Sequence, residues 1–396
     1  MPVILDALFF ILLSTLAHVV PLGAIGVSED RRAERRISSD LYDSLNELAH
    51  ILDVSYCIGN TGIQRPFQCL SHCRELKDFE LVTTWHTGLL LSDSCGFITL
   101  SHASSPKRII VAFRGTTSLA NVIIDLSSYP QEYVPYIIGN DTDGGNHDKQ
   151  PECIDCYVHA GFMKAWRNTR SEILETISAV RDQYSDYKLE LVGYSLGGAV
   201  AALAGAEMQL RGWDPLVTTL GEPRVGNTAF NEFLNALFQL NVDDVDAWKL
   251  RKVTHAYDPI TLLPPSAWGY EMHAGEIYIS RVDLPFSVAD VIYCRGAYDE
   301  ECISGDETSA SRLRPLLHQI KSLGDGTEQQ ILSESTDSPL TSNLHSAHRM
   351  PWDPIPVRFR AWEIFHSHRD YFLRLWLCMP EGDPSGERWR WPWTIF

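Results

Sequence analysis

The chain of 396 residues reads as an α/β protein with a mostly parallel central sheet flanked by helices. Three observations predict this. Short apolar runs such as Arg108-Ile109-Ile110-Val111-Ala112-Phe113 end in turn residues and read as strands covered on both faces. These runs alternate with helical patterns, the signature of parallel β-α-β units. Finally, Leu189-Glu190-Leu191-Val192 runs into Gly193-Tyr194-Ser195-Leu196-Gly197, a G-x-S-x-G turn between a strand and a helix of small residues.

The apolar stretch from Leu8 to Leu13, followed by small residues near Gly23 and Ala24, predicts a secretory signal over residues 1–26. Its start carries Asp6 and no Lys or Arg, so an uncleaved membrane anchor is the alternative. Arg31, Arg32, Arg35 and Arg36 form two dibasic pairs and mark 27–36 as either a propeptide or a solvated basic run. One domain is expected over 37–380. Leu41, Leu45, Leu48 and Leu52 recur at steps of four, three and four, an amphipathic helix over 40–55 capped by Ser38. Strands follow at 95–101 and 108–113, the second ending at Arg114-Gly115-Thr116. After Ser195, Gly198, Ala199, Ala201, Ala202 and Ala204 keep the helix thin enough to lie on the sheet until Gly212 stops it. A strand from Val217 passes through Gly221-Glu222-Pro223-Arg224 into a helix near Thr228, and a strand over 249–255 delivers Asp258. Residues 304–356 are rich in Ser, Thr, Asp, Glu and Pro and read as an insertion, with helical periodicity only from Leu313 to Leu323. The tail 381–396 holds Trp389, Trp391 and Trp393, which either dock on the body or dip into an interface.

A net charge of −18 argues against nucleic acid, whose binders cluster Lys and Arg. Nine cysteines are many for a reducing compartment. They are too scattered for a zinc finger, and Cys153-x-x-Cys156 has no second pair or His at finger spacing. Disulfides between Cys69 and Cys73, Cys153 and Cys156, and Cys294 and Cys302 are expected, together with export. A glycosylation sequon at Asn140 is compatible with that.

A serine hydroxyl is not ionised near neutral pH, so Ser195 needs a histidine base and a carboxylate to orient it. In doubly wound hydrolases the chain order is Ser, acid, His. Asp258 sits just past a strand end, where the acid belongs. Six histidines follow it, and His368 is preferred because aromatic residues in His368-Arg369-Asp370-Tyr371-Phe372 can anchor its loop and Cys378 lies ten positions on. His366 is the alternative, since spacing does not separate the two. The negative charge that develops on attack needs preorganised donors. The N–H of Leu196 at the helix start and Thr116 at the end of the 108–113 strand are the candidates. No cofactor or metal is called for by this chemistry.

With these residues in view, the chain resembles the fungal extracellular lipases of the class 3 lipase family, which includes related feruloyl esterases, from about Ile37 to Cys378. Phe113-Arg114-Gly115-Thr116 resembles the family's oxyanion loop. Val158-His159-Ala160-Gly161-Phe162 and Gly221-Glu222-Pro223-Arg224-Val225-Gly226-Asn227 match its other characteristic segments. The resemblance implies an α/β-hydrolase fold with a small lid helix, the triad Ser195, Asp258 and His368, and Thr116 and Leu196 as oxyanion donors. It also implies a Cys57 to Cys378 bridge and leaves Cys95 as a buried free thiol. Two departures stand out. Tyr194 replaces the usual histidine before the nucleophile, and Asp258 and His368 are 110 positions apart, about twice the family's spacing.

The segment after the oxyanion loop places Leu119, Val122, Ile123 and Leu126 at i, i+3, i+4 and i+7, one apolar face. As a lid it would close over an apolar site and open at an oil-water interface, with transient contact to a lipid surface. A core helix is the alternative. The expectation is a secreted, extracellular serine ester hydrolase acting on long-chain acylglycerols. A feruloyl or other carboxylic esterase stands second, and an inactive binding protein of the same fold third.

Overall fold

The computed structural model describes residues 32–88, 93–116, 130–136, 153–240, 244–305, 367–376 and 378–379. Contacts divide the chain into Met1–Arg36 and Ile37–Phe396. Of the first unit only a short turn at 32–36 is described, and everything below concerns the second. The expected signal, most of the insertion at 304–356, the segment 119–126, Asn140 and the tail 381–396 lie outside the described residues.

Helix α1, Ser39–Ser55, begins where Ser38 accepts the Leu41 N–H at 3.1 Å, a side-chain cap on an otherwise unpaired donor. It buries Leu41, Leu45, Leu48 and Leu52. Strands β1 (Phe79–His86), β2 (Cys95–Ser101) and β3 (Arg108–Phe113) follow, the last two buried along their whole length. A small ladder pairs β4 (Pro130–Glu132) with β5 (Tyr157–His159). Helix α2, Ala160–Gln183, leads to β6 (Lys188–Tyr194), α3 (Leu196–Leu210), β7 (Leu216–Leu220) and α4 (Thr228–Leu237). Then come β8 (Leu250–His255), β9 (Glu276–Ile279) and β10 (Val291–Tyr293).

The main sheet runs β1-β2-β3-β6-β7-β8-β9-β10. From β3 to β9 every neighbouring pair is parallel, and the outer pairs are antiparallel. This is the α/β-hydrolase arrangement, and it places the C-terminal ends of β3, β6 and β8 on one edge, where crossovers leave room for a site. Helix α3 can lie close to the strands because it carries three glycines and five alanines, all buried: a Cβ at Gly205 would already stand 2.5 Å from Val217 Cγ2.

Four disulfides are present, Cys57–Cys378, Cys69–Cys73, Cys153–Cys156 and Cys294–Cys302, and Cys95 is a buried free thiol. The long helix α2 was absent from the sequence reading, which took its start only as a motif. Its buried face, Phe162, Met163, Trp166, Ile173, Leu174 and Ile177, recurs at helical spacing and was the available signal. Strand β1 escaped notice because a bulge between Leu81 and Thr83 breaks its alternation.

Candidate active site

Ser195 stands where β6 turns into α3, with φ 55° and ψ −126°, a conformation that residues with a side chain seldom adopt. Strand and helix cross so closely that a Cβ on Gly193 would lie 2.2 Å from the Gly197 oxygen, and one on Gly197 would lie 2.3 Å from the Phe113 oxygen. Glycine is therefore required on both sides. The strained turn is held by the Ser195 N–H, which donates to Leu220 O at 2.9 Å.

His368 Nε2 lies 2.9 Å from Ser195 Oγ, and its Nδ1 lies 2.8 Å from Asp258 Oδ2. All three side chains are buried. Since a carboxylate only accepts, the imidazole presents its proton at Nδ1 and a lone pair at Nε2, ready to receive the serine proton. His366, the alternative base, lies outside the described residues. Asp258 is oriented by the Ile260 N–H, which donates to Oδ1 at 3.0 Å, and by the Tyr371 hydroxyl, which donates to Oδ2 at 2.5 Å.

Tyr194 entered the sequence reading only as a departure, and Tyr371 only as an aromatic anchor; both turn out to touch the row. The Tyr194 ring stacks on the His368 imidazole at 5.0 Å between centroids, and its hydroxyl donates to His368 O at 2.6 Å. Burial pushes both phenols well above their ordinary pKa, reinforced by Tyr56 and Asp258 at Tyr194 and by Asp258 at Tyr371. They stay protonated and donate.

The His368 segment is tied down from several directions. Helix α1 and the turn after it contribute most: Tyr42 packs edge-on against Phe372 at 5.3 Å, Asp53 Oδ1 accepts the Trp376 N–H at 3.0 Å, and Cys57 bonds Cys378. His255, at the end of β8, reaches Ser367 O with Nδ1 at 2.7 Å. Behind the imidazole, Gly221 has φ +62°, and a Cβ there would stand 3.0 Å from His368 Cε1. The loop after β7 thus passes the imidazole with backbone alone. Its other residues brace it: Glu222 pairs with His273 at 3.1 Å, and Asn227 accepts N–H groups from Tyr157 and Phe230.

On the opposite side of Ser195, Gly115 lets the loop after β3 approach; a Cβ there would lie 3.0 Å from Ser195 Cβ. The next residue, Thr116, has a buried hydroxyl with no hydrogen-bond partner. An unpaired buried donor in such a place is costly unless a ligand oxygen fills it. Leu196, as the first residue of α3, has an N–H with no acceptor inside the helix. Together these groups can accept a proton from a hydroxyl and hold an anionic oxygen. The lid candidates Leu119, Val122, Ile123 and Leu126 lie outside the described residues.

The chain matches the family model described as Lipase (class 3) over residues 110–268. It is 43% identical over 409 residues to Lipase A of Sodiomyces alcalophilus, spanning 97% of this chain and 94% of that protein. It is 40% identical over 365 residues to the secreted mono- and diacylglycerol lipase 2 of Gibberella zeae, spanning 88% and 85%. The crystal structure of Lip2 lipase from Yarrowia lipolytica superposes with a TM-score of 0.64 at 26% identity, covering 87% of this chain and 97% of that one. The match to relatives at this identity over nearly their whole length, on an α/β-hydrolase sheet, means that the chain belongs to the class 3 lipase family and is a lipase.

Proposed function

We propose that the protein is an exported serine lipase that hydrolyses long-chain acylglycerols through an acyl-enzyme, with Ser195 as nucleophile, His368 as base and acid, and Asp258 as its orienting carboxylate. The observation that carries this is the unbroken hydrogen-bonded row from Ser195 Oγ through His368 to Asp258. Ser195 Oγ attacks the ester carbonyl carbon as its proton passes to His368 Nε2. The carbonyl oxygen becomes anionic and is received by the Leu196 N–H and by Thr116, donors of a kind worth about 3 kcal/mol each. His368 then returns the proton to the leaving alkoxide as the carbon–oxygen bond breaks. Water, deprotonated by the same imidazole, releases the fatty acid.

Three features support the substrate class and the compartment. The relative from Gibberella zeae is named as secreted and as acting on mono- and diacylglycerols. Four disulfides suit an oxidising exterior. The apolar face of Leu119, Val122, Ile123 and Leu126 suits a lid that meets acyl chains at an oil-water interface. Removal of residues 1–26 and 27–36 on export, an insertion over 304–356 beside the site, and docking of the 381–396 tail belong to the same proposal. Turnover of emulsified triolein against methyl ferulate tests the substrate class. Faster hydrolysis of triolein is expected; faster hydrolysis of the ferulate would make the protein an esterase of phenolic acids instead.

A further inference from the structure

On a face that the ester chemistry does not use, helix α1 and the loop closed by Cys69–Cys73 bring His50, His72 and Glu75 together, with one donor atom from each within 4.8 Å of the others. His50 Nδ1 lies 2.9 Å from Asn46 O, and a carbonyl only accepts, so Nδ1 carries the proton. The lone pair is then on Nε2, and Nε2 faces Glu75 Oε2 at 3.6 Å. Two acceptors point at each other.

His72 repeats the problem. Nδ1 lies 2.9 Å from Glu75 Oε1, and Nε2 is buried, without a hydrogen-bond partner, 4.0 Å from Asp53 Oδ2. A neutral ring has one N–H, so whichever nitrogen holds it, the other turns a lone pair toward a carboxylate. The arrangement sets two imidazoles among two carboxylates.

We propose that His50, His72 and Glu75 bind one divalent transition-metal cation of the zinc class, which clamps the disulfide-closed 69–75 loop onto helix α1. Two imidazoles and a carboxylate are a donor set that suits zinc, with water in the remaining position. Metal–ligand distances near 2.0–2.1 Å in a tetrahedron place ligand atoms roughly 3.3–3.5 Å apart. The 2.9 and 3.6 Å separations, one to each oxygen of Glu75, lie on either side of that range, and with the donor atoms all within 4.8 Å of one another, side-chain movements of up to about 1 Å would draw the set into a tetrahedron. Partners outside the cluster suit such a site: His50 is oriented through its Nδ1–H by a backbone carbonyl, and His72, when ligating through Nδ1, turns its Nε2–H toward Asp53, 4.0 Å away, the carboxylate that also receives the Ser71 hydroxyl and the Trp376 N–H. Glu276, Cys294 and Cys302 also cluster, but their two sulfurs are bonded to each other and are not available.

The test is calorimetric titration of zinc chloride into the chelator-stripped full chain, with melting followed in parallel, for the parent, His50→Gln and Glu75→Gln. These two residues are more exposed than His72, so their variants are expected to fold and to keep full activity on a soluble ester. The parent should bind one zinc ion more tightly than any background and melt about 5 °C higher with saturating zinc. Each variant should lose that site by at least tenfold in affinity, with no zinc-dependent rise in melting. A parent without a zinc-dependent rise, or variants that bind zinc as tightly as the parent, would overturn the proposal.

Discussion

Tyr194 holds His368 twice, by stacking on the imidazole at 5.0 Å with the planes 27° apart and by donating its hydroxyl to the His368 carbonyl at 2.6 Å. A base must hold its Nε2 on the serine hydroxyl within a fraction of an ångström to be effective. One residue, adjacent to Ser195, fixes both the ring and the backbone of His368. Tyr194→Phe keeps the stack and loses the hydrogen bond, and a fall in kcat of about tenfold is expected. Tyr194→Ala loses both and should cost about a hundredfold, in line with small misplacements at a reacting centre. Steady-state hydrolysis of a soluble p-nitrophenyl ester, with folding verified by circular dichroism, reads the difference. Equal rates for parent and both variants would remove Tyr194 from this role.

The Cys57–Cys378 bond spans 321 positions and fastens the chain shortly after His368 to the end of α1. Closing so long a loop restricts the unfolded chain strongly, with an expected contribution of up to about 5–6 kcal/mol. Replacing both cysteines with serine should lower stability to denaturant by up to that amount. It should also reduce kcat, because the segment that carries the imidazole then rests on its contacts with Tyr42, Asp53, Tyr194 and His255 without a covalent tie. Unchanged stability and rate would show that packing, not the bond, holds the segment.

Arg108, at the start of β3, reaches Glu190 Oε2 at 3.1 Å and Glu47 Oε1 at 2.8 Å beneath α1. Glu190 is fully enclosed, and burial pushes its carboxyl up while Arg108 opposes the shift. Arg108→Met leaves that carboxylate without its partner and should cost about 3–5 kcal/mol. The double variant Arg108→Met with Glu190→Leu should recover most of the loss, since a matched apolar pair avoids the desolvation. Denaturant midpoints of the three proteins decide this, and a double variant no better than the single one would contradict it.

Much of this fold was legible because local physics left few choices. The leucines of α1 recur at steps that only a helix satisfies, and Ser38 in front of them is a cap in the structure as in the pattern. Gly193 and Gly197 were readable as an elbow because no other residue fits where the strand meets the helix. Ser195, Asp258 and His368 could be nominated from chain order and from their places at strand and loop ends. Their side chains do meet, across 63 and 110 positions of sequence. What stayed hidden depends on distant contacts. That Tyr194 stacks on His368, or that Tyr371 reaches Asp258, follows from how the 367–376 segment folds back over α1, and no local pattern carries that information. Gly221 was visible as part of a motif, but its reason, the clearance of the imidazole, appears only when the base is in place.

Four bonds use eight of the nine cysteines, leaving Cys95 as the free thiol. Burial pushes it up to about 11, with Arg114 opposing. At pH 8 only about one molecule in a thousand would then carry the reactive thiolate. The native protein should resist iodoacetamide at that pH and take up a single label once unfolded. Rapid labelling of the folded protein, or a second label after unfolding without reductant, would contradict the burial or the pairing.

The central claim is that the hydroxyl of Ser195 forms the acyl-enzyme. Its most direct test is the rate at which Ser195→Ala hydrolyses a soluble p-nitrophenyl ester beside the parent. A loss on the order of 10⁵–10⁶ in kcat is expected, the scale seen when a triad nucleophile is removed. A variant that turns over as fast as the parent would show that the chemistry lies elsewhere.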